Sequence, residues 1–131
     1  MSKKYSYKTK IYYEDTDVGG IVYYANYLKF IERARTEMIY QQFKLNHQKL
    51  KNNYDAIFVV RSCNVKYIKS ANFEDELEIF TTIIKKTPVR LNLLQEVSRK
   101  QELLVSAKVE LAVVNGKGKV KKLPKELLDT I

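Results

Sequence analysis

The segment Glu14-Asp15-Thr16-Asp17-Val18-Gly19-Gly20 holds three acids and two glycines within seven residues. It lies between a run that reads as a strand and a run with helical periodicity. The first amides of a helix have no intrahelical partner and point outward from its N-terminus. Glycines let a main chain come close to a ligand. A carboxylate held at such a junction can face a carbonyl carbon while a helix amide binds the carbonyl oxygen, which is the geometry acyl transfer needs. The same residues also have a plainer use, since an aspartate before a helix can cap it and paired glycines can turn the chain. Spacing alone leaves both uses open.

Other reactive side chains are sparse. The one histidine, His47, lies in a polar stretch with no partner constellation near it, and is expected on the surface. The one cysteine, Cys63, falls in an apolar alternation and reads as a small core residue rather than a nucleophile. A single cysteine permits no intrachain disulfide, which fits a reducing compartment. No spacing suits a metal, and no cofactor is called for. Arg33, Arg35 and Glu37 read as ordinary surface charges of a helix.

The elements that must position this chemistry follow from periodicity. Tyr5 to Tyr13 reads as a first strand. From about Tyr24 to Phe43 the apolar residues Tyr24, Tyr27, Ile31, Ala34 and Met38 step by three and four, with Lys29, Glu32, Arg33 and Glu37 opposite. That predicts an amphipathic helix of about five turns. Lys44 to Asp55 is polar and reads as a loop with a short helix. Ile57 to Tyr67, Leu77 to Lys85, Val89 to Val97 and Leu103 to Val114 are strand-like. In the second of the two outer runs Val105, Ala107, Val109, Leu111 and Val113 share a face, and in the first Val59, Cys63, Val65 and Tyr67 do. Pro124 opens a short terminal helix. One strand, a long helix and a four-strand meander predict an α+β domain: an antiparallel sheet of about five strands with the helix on one face.

At 131 residues the chain fits one domain, 1–131, with a core that needs no staples. Met1 to Tyr7 is polar and basic, unlike a secretory signal, and no run approaches the ~20 apolar residues that span a bilayer. A cytoplasmic protein is expected. The net charge of +9, from 24 Lys and Arg against 15 Asp and Glu, favours anionic partners or simply marks a solvated basic surface. Nucleic acid is the weakest of these partners, because several of the ten tyrosines fall on the apolar helix face rather than among basic residues.

The run from Tyr12 to Tyr27, YYEDTDVGGIVYYANY, closely resembles the signature of the 4-hydroxybenzoyl-CoA thioesterase family. It is most similar to the YbgC-type acyl-CoA thioesterases found near Tol-Pal envelope genes, and Leu28 to Glu37 extends the likeness. Arg61 to Asn64 and the Asn72 to Leu77 turn continue it more weakly. The resemblance implies the hotdog fold, a long central helix wrapped by an antiparallel sheet, and a homodimer or higher homo-oligomer with active sites at the subunit interface. It implies hydrolysis of acyl-CoA, with fatty acyl groups as the first candidate. Asp17 takes the place of the family's catalytic aspartate, as nucleophile or as general base. The backbone amide at Tyr24 polarises the thioester oxygen. Gly19, Gly20, Val22 and Asn26 shape the site, and Asp15 caps or braces the loop. One position departs: the YbgC branch usually carries histidine where this chain has Tyr24.

Lys85, Lys86 and Arg90 flank the Thr87-Pro88 break and, by loose resemblance, bind the nucleotide end of CoA, unless they form only a solvated turn. An acyl carrier protein, being acidic, is an alternative bearer of the acyl group. A non-catalytic binding protein of the lipid or envelope machinery is the reading from a different class, and retention of Asp17 with both glycines speaks against it.

Overall fold

The computed structural model describes residues 3–131; the first two residues of the basic N-terminal run lie outside the described residues. The elements are β1 (Lys4–Lys10), a 3-10 turn (Tyr13–Asp15), α1 (Asn26–Phe43), α2 (His47–Tyr54), β2 (Ile57–Tyr67), β3 (Glu76–Thr87), β4 (Arg90–Arg99), β5 (Glu102–Val114) and α3 (Lys125–Leu128). The five strands form one sheet in the order β1-β3-β4-β5-β2, every pair antiparallel. The expected α+β hotdog outline is therefore the observed one.

The alternation of the strands decides where α1 lies. Leu77 and Ile79 of β3, Leu91, Leu93 and Val97 of β4, and Val105, Ala107, Val109, Leu111 and Val113 of β5 point to one face and are buried there. Onto that face α1 lays Tyr27, Phe30, Ile31, Ala34, Met38 and Ile39, all buried. Burying such side chains stabilises the fold by roughly 1.5–3 kcal/mol each. One polar group sits inside the seam. Gln95 is fully buried, and its amide donates to the Ile31 carbonyl (2.8 Å) and to Thr81 Oγ1 (2.9 Å). Those bonds would be costly to break unreplaced, so Gln95 fixes the register of the helix on the sheet.

Several expectations need correction. The helix begins at Asn26, not Tyr24. The Asn26 amide bonds back to the Tyr23 carbonyl in a turn, and Tyr24 is 61% exposed rather than on the core face. β2 has a bulge between Val60 and Ser62. An extra residue reverses which side chains face which way. Val59, opposite Ala112, therefore does not share a face with Cys63, Val65 and Tyr67, which sit opposite Val109, Ala107 and Val105.

Cys63 is exposed, not core, because β2 is the sheet edge and α1 does not cover it. His47 is half-buried rather than fully exposed as expected. Its ring lies between Tyr40 and Phe58, its Nε2 is shielded with no partner among the described residues, and burial lowers its pKa. Arg35 also leans inward, towards Gln95 Oε1 at 3.4 Å, and burial lowers its pKa.

The β4–β5 hairpin turns through Lys100 and Gln101 alone, with φ of 47° and 70°. Two-residue hairpin turns of this hand favour Asn-Gly, because other side chains crowd the left-handed region at a cost of about 1–2 kcal/mol per residue. Replacing the pair by Asn-Gly is expected to stabilise the fold by about 1 kcal/mol, a gain of a few degrees in melting temperature. A melt that stays the same or drops would show that the turn carries no such cost.

Candidate active site

The Asp17 loop is built by main-chain pairing. The Asp17 amide donates to the Ile21 carbonyl (2.9 Å) and the Tyr23 amide to the Asp15 carbonyl (3.0 Å), so residues 15–23 fold back as a small antiparallel loop. At its tip the Gly20 amide bonds the Asp17 carbonyl (3.1 Å). Gly20 has φ +78°, a conformation other residues rarely adopt. Gly19 is needed for a different reason: a Cβ there would stand 3.3 Å from Asp17 Oδ1. Through that space the Gly19 amide donates to Oδ1 at 2.8 Å. One carboxylate oxygen is thereby fixed, while Oδ2 has no hydrogen-bond partner among the described residues.

Three other side chains brace the loop. Asp15 Oδ2 accepts the Tyr12 amide (2.9 Å), as a cap of the 3-10 turn. Asn26 is buried, and its Nδ2 donates to the Asp15 carbonyl (2.8 Å). Thr16 Oγ1 donates to the Tyr13 carbonyl (3.0 Å). After the loop the chain enters α1, and the amide of Tyr24 has no partner among the described residues. A free N–H just ahead of a helix can polarise a carbonyl. The Tyr24 ring meets Tyr67 edge-on (centroids 5.9 Å apart), and Tyr67 also meets Tyr27 (5.8 Å). An aromatic wall thus flanks the helix start.

The loop rests on a second one, residues 69–75. Val22 donates to the Ala71 carbonyl (2.9 Å) and Phe73 to the Gly20 carbonyl (3.1 Å), while the Phe73 ring stacks on Tyr13 (4.2 Å). Tyr27 Oη accepts the Ala71 amide (2.8 Å), and burial raises the phenol's pKa. Beneath the turn sits an ion cluster. Arg99 reaches Asp75 (2.7 Å) and Glu102 (2.8 Å), and Lys69 reaches Glu102 (2.5 Å). The Lys69 and Arg99 hydrogen bonds hold the Glu102 carboxyl down at about 2.

Asp17, Gly19, Gly20, Tyr24 and Asn26 therefore come together, as the sequence suggested. Val22 adjoins them, but its side chain is buried in the core. The basic trio does not join them within one chain. Asn72, just ahead of β3, bridges Ile21, whereas Lys85 and Lys86 lie near the far end of β3, and Arg90 opens β4 there. Ten strand residues span about 30 Å. Lys86 Nζ donates to the Leu128 and Ile131 carbonyls, and Arg90 lies 3.5 Å from Glu110. Tyr67, Asp75 and Arg99 were not legible as site residues, since only the fold brings them to the loop.

A five-stranded antiparallel sheet wrapped on one long helix, with an aspartate loop at the helix start, defines a thioester hydrolase of the hotdog fold. The chain belongs to the thioesterase-like superfamily, whose model matches residues 12–131. It is 36% identical over 128 residues to the Haemophilus influenzae acyl-CoA thioesterase YbgC, covering 97% of this chain and 93% of that one. To the Escherichia coli acyl-CoA thioester hydrolase YbgC it is 39% identical over 126 residues, covering 95% and 92%. Among solved structures, a probable thioesterase from Bartonella henselae superposes with TM-score 0.87 at 32% identity, over 93% of this chain and 100% of that one. A mutant 4-hydroxybenzoyl-CoA thioesterase complexed with 4-hydroxybenzoyl-CoA superposes with TM-score 0.90 at 18% identity, over 97% of each chain, a likeness of fold alone.

Proposed function

We propose that this chain hydrolyses acyl-CoA, with fatty acyl-CoA as the first substrate to try. The observation that carries the reading is that Asp17, one carboxylate oxygen anchored and the other unpaired, and the unpaired Tyr24 amide flank the same loop, with six residues between them. As general base, the carboxylate takes a proton from water while the water oxygen adds to the thioester carbon. The Tyr24 amide donates to the resulting oxyanion. The tetrahedral intermediate then expels the CoA thiolate, which receives the proton back from Asp17. As nucleophile, the carboxylate itself adds to the carbon, CoA thiolate leaves, and water hydrolyses the mixed anhydride. Both routes need the same two groups. The net charge of +9 also suits an acidic acyl carrier protein as the bearer of the acyl group.

The proposal includes a homodimer built on β2. This edge strand is eleven residues long and leaves Val59, Val60 and Tyr67 exposed by 39%, 47% and 47%. Long apolar edges invite another strand. Antiparallel pairing of β2 with its copy, about a two-fold axis through the sheet, joins the two sheets edge to edge. It also brings the far end of the second sheet, where Lys85, Lys86 and Arg90 lie, to the end of the assembly that holds Asp17. CoA spanning the interface could then meet the loop of one subunit and the cations of the other. Gly19, Gly20, Val22 and Asn26 shape the acyl end in this reading.

Steady-state release of free thiol from acyl-CoA tests the mechanism. Asp17→Asn keeps the shape of the side chain but removes its charge, and kcat should fall at least roughly a hundredfold with little change in KM. Tyr24→Phe should be mild, because the proposed contact is main-chain. A folded Asp17→Asn protein with near-normal kcat would overturn the assignment. Sedimentation should show a dimer at micromolar concentration; a fully active monomer would contradict the interface.

A further inference from the structure

We infer that Arg99 is a positioning residue for this reaction: through Asp75 and the 70–75 turn it sets where the Asp17 carboxylate stands. The inference rests on the proposed role of Asp17. Among the described residues Arg99 makes no hydrogen bond or ion pair with residues 15–24 itself; its guanidinium works at one remove. Its Nη1 donates to Asp75 Oδ2 at 2.7 Å and reaches towards the Ser70 carbonyl at 3.4 Å, while Nη2 donates to Glu102 at 2.8 Å.

The same Asp75 oxygen accepts the Asn72 amide at 2.8 Å. One carboxylate oxygen therefore joins the guanidinium to the backbone of the turn. That turn is the platform of the site: its Ala71 carbonyl and Phe73 amide hold Val22 and Gly20. Asp75 also grips the other side of the loop, since its carbonyl accepts the Ile11 amide at 2.9 Å. The ion pair is thus tied to the turn through the Asn72 amide, and the turn to the catalytic loop through Val22 and Gly20.

Backbone strain points the same way. Glu74, inside the turn, has φ 72°, and Lys100 and Gln101, beside Arg99, have φ 47° and 70°. Non-glycine residues hold such angles only where surrounding contacts over-determine them. Both left-handed turns adjoin members of the Arg99–Asp75–Glu102 cluster in the chain. The Arg99 and Asp75 side chains are only 21% and 23% exposed, so the pair is less screened than one in open water. Arginine suits the place because its fork serves both carboxylates at once, which a lysine cannot do.

The experiment measures hydrolysis of lauroyl-CoA by Arg99→Gln, Asp75→Asn, the double variant, Arg99→Lys and Arg99→Ala, with thermal melts alongside. Displacing a catalytic group by 1 Å can cost ~10²-fold, so Arg99→Gln should lose about tenfold in kcat with KM within twofold. The double variant should lose no more than the worse single one, because both break the same link. Arg99→Lys should be intermediate, and added guanidinium at millimolar concentration should restore part of the Arg99→Ala activity. Ser6→Ala, which removes the side-chain hydrogen bond from Ser6 to Glu78 between β1 and β3, away from both loops and from the β2 edge, serves as the control and should keep wild-type kcat.

Folded Arg99→Gln protein with wild-type kcat would overturn the inference, as would losses that add in the double variant. Where Arg99→Gln does not fold, Arg99→Lys with wild-type kcat and no effect of guanidinium on Arg99→Ala would overturn it equally. Asp17→Asn in the same series separates the two claims: an active Asp17→Asn protein sinks the mechanism itself, whereas a dead one beside an unaffected Arg99→Gln sinks only the role of Arg99.

Discussion

Two loops distant in sequence are zipped together by main-chain hydrogen bonds, and the rest of the site depends on that pairing. Residues 20–22 pair with residues 71–73. Neither segment is regular structure alone. Main-chain pairing needs no particular side chains, but it demands geometry that glycine supplies on one side, at Gly20, and that ionic contacts impose on the other, around Asp75. Once the loops are paired, Asp17 is turned back over Gly19 and the chain enters α1 with a free amide. Catalytic groups placed on such a support need no reorganisation when charge develops, which is where most electrostatic catalysis originates.

The sheet and the helix serve this pairing by fixing the distance between its halves. α1 is locked in register by Gln95 and its apolar stripe, so the start of the helix, and the loop before it, cannot slide along the sheet. β1 and β3 run side by side into the two loops, with Lys10 opposite Glu76. The opposite flank is left open: β2 exposes its edge and its apolar side chains. A protein that carries such an edge must cover or blunt it, and the proposed self-pairing is a cover that would also complete a site for a long, charged substrate.

Much of this was legible in the sequence because it rests on local periodicity. The stripe from Tyr24 to Met38 and the alternation from Val105 to Val113 are repeats of 3.6 and 2, and both elements fall where those repeats place them, save that the helix starts at Asn26 and leaves Tyr24 outside its buried face. The Asp17-to-Gly20 loop was legible by resemblance, and Gly20 turns the chain as a glycine there was expected to, whereas the space that Gly19 leaves beside the Asp17 carboxylate was not legible. Failures came where non-local contacts decide. A bulge at Val60–Ser62 leaves no mark in a run of strand formers, so the facing of Val59 was misread. Burial of Cys63 depended on which strand lay at the edge, and burial of His47 on two rings from other elements. Nothing in the sequence marks Arg99, because Asp75 stands 24 residues away. Lys85, Lys86 and Arg90 were adjacent to the site in no single-chain sense at all.

The central claim is that the Tyr24 amide waits unpaired for a thioester oxygen while the neighbouring loop amides are already committed. Residue-resolved hydrogen exchange tests it directly, with and without a non-hydrolysable thioether analogue of an acyl-CoA. Without ligand, the amides of Asp17, Val22 and Phe73 should be protected and that of Tyr24 should exchange freely. With saturating analogue, Tyr24 should slow by at least about tenfold, as a buried hydrogen bond forms. A Tyr24 amide that exchanges equally fast in the saturated complex, or one already protected in the free protein, would contradict the account.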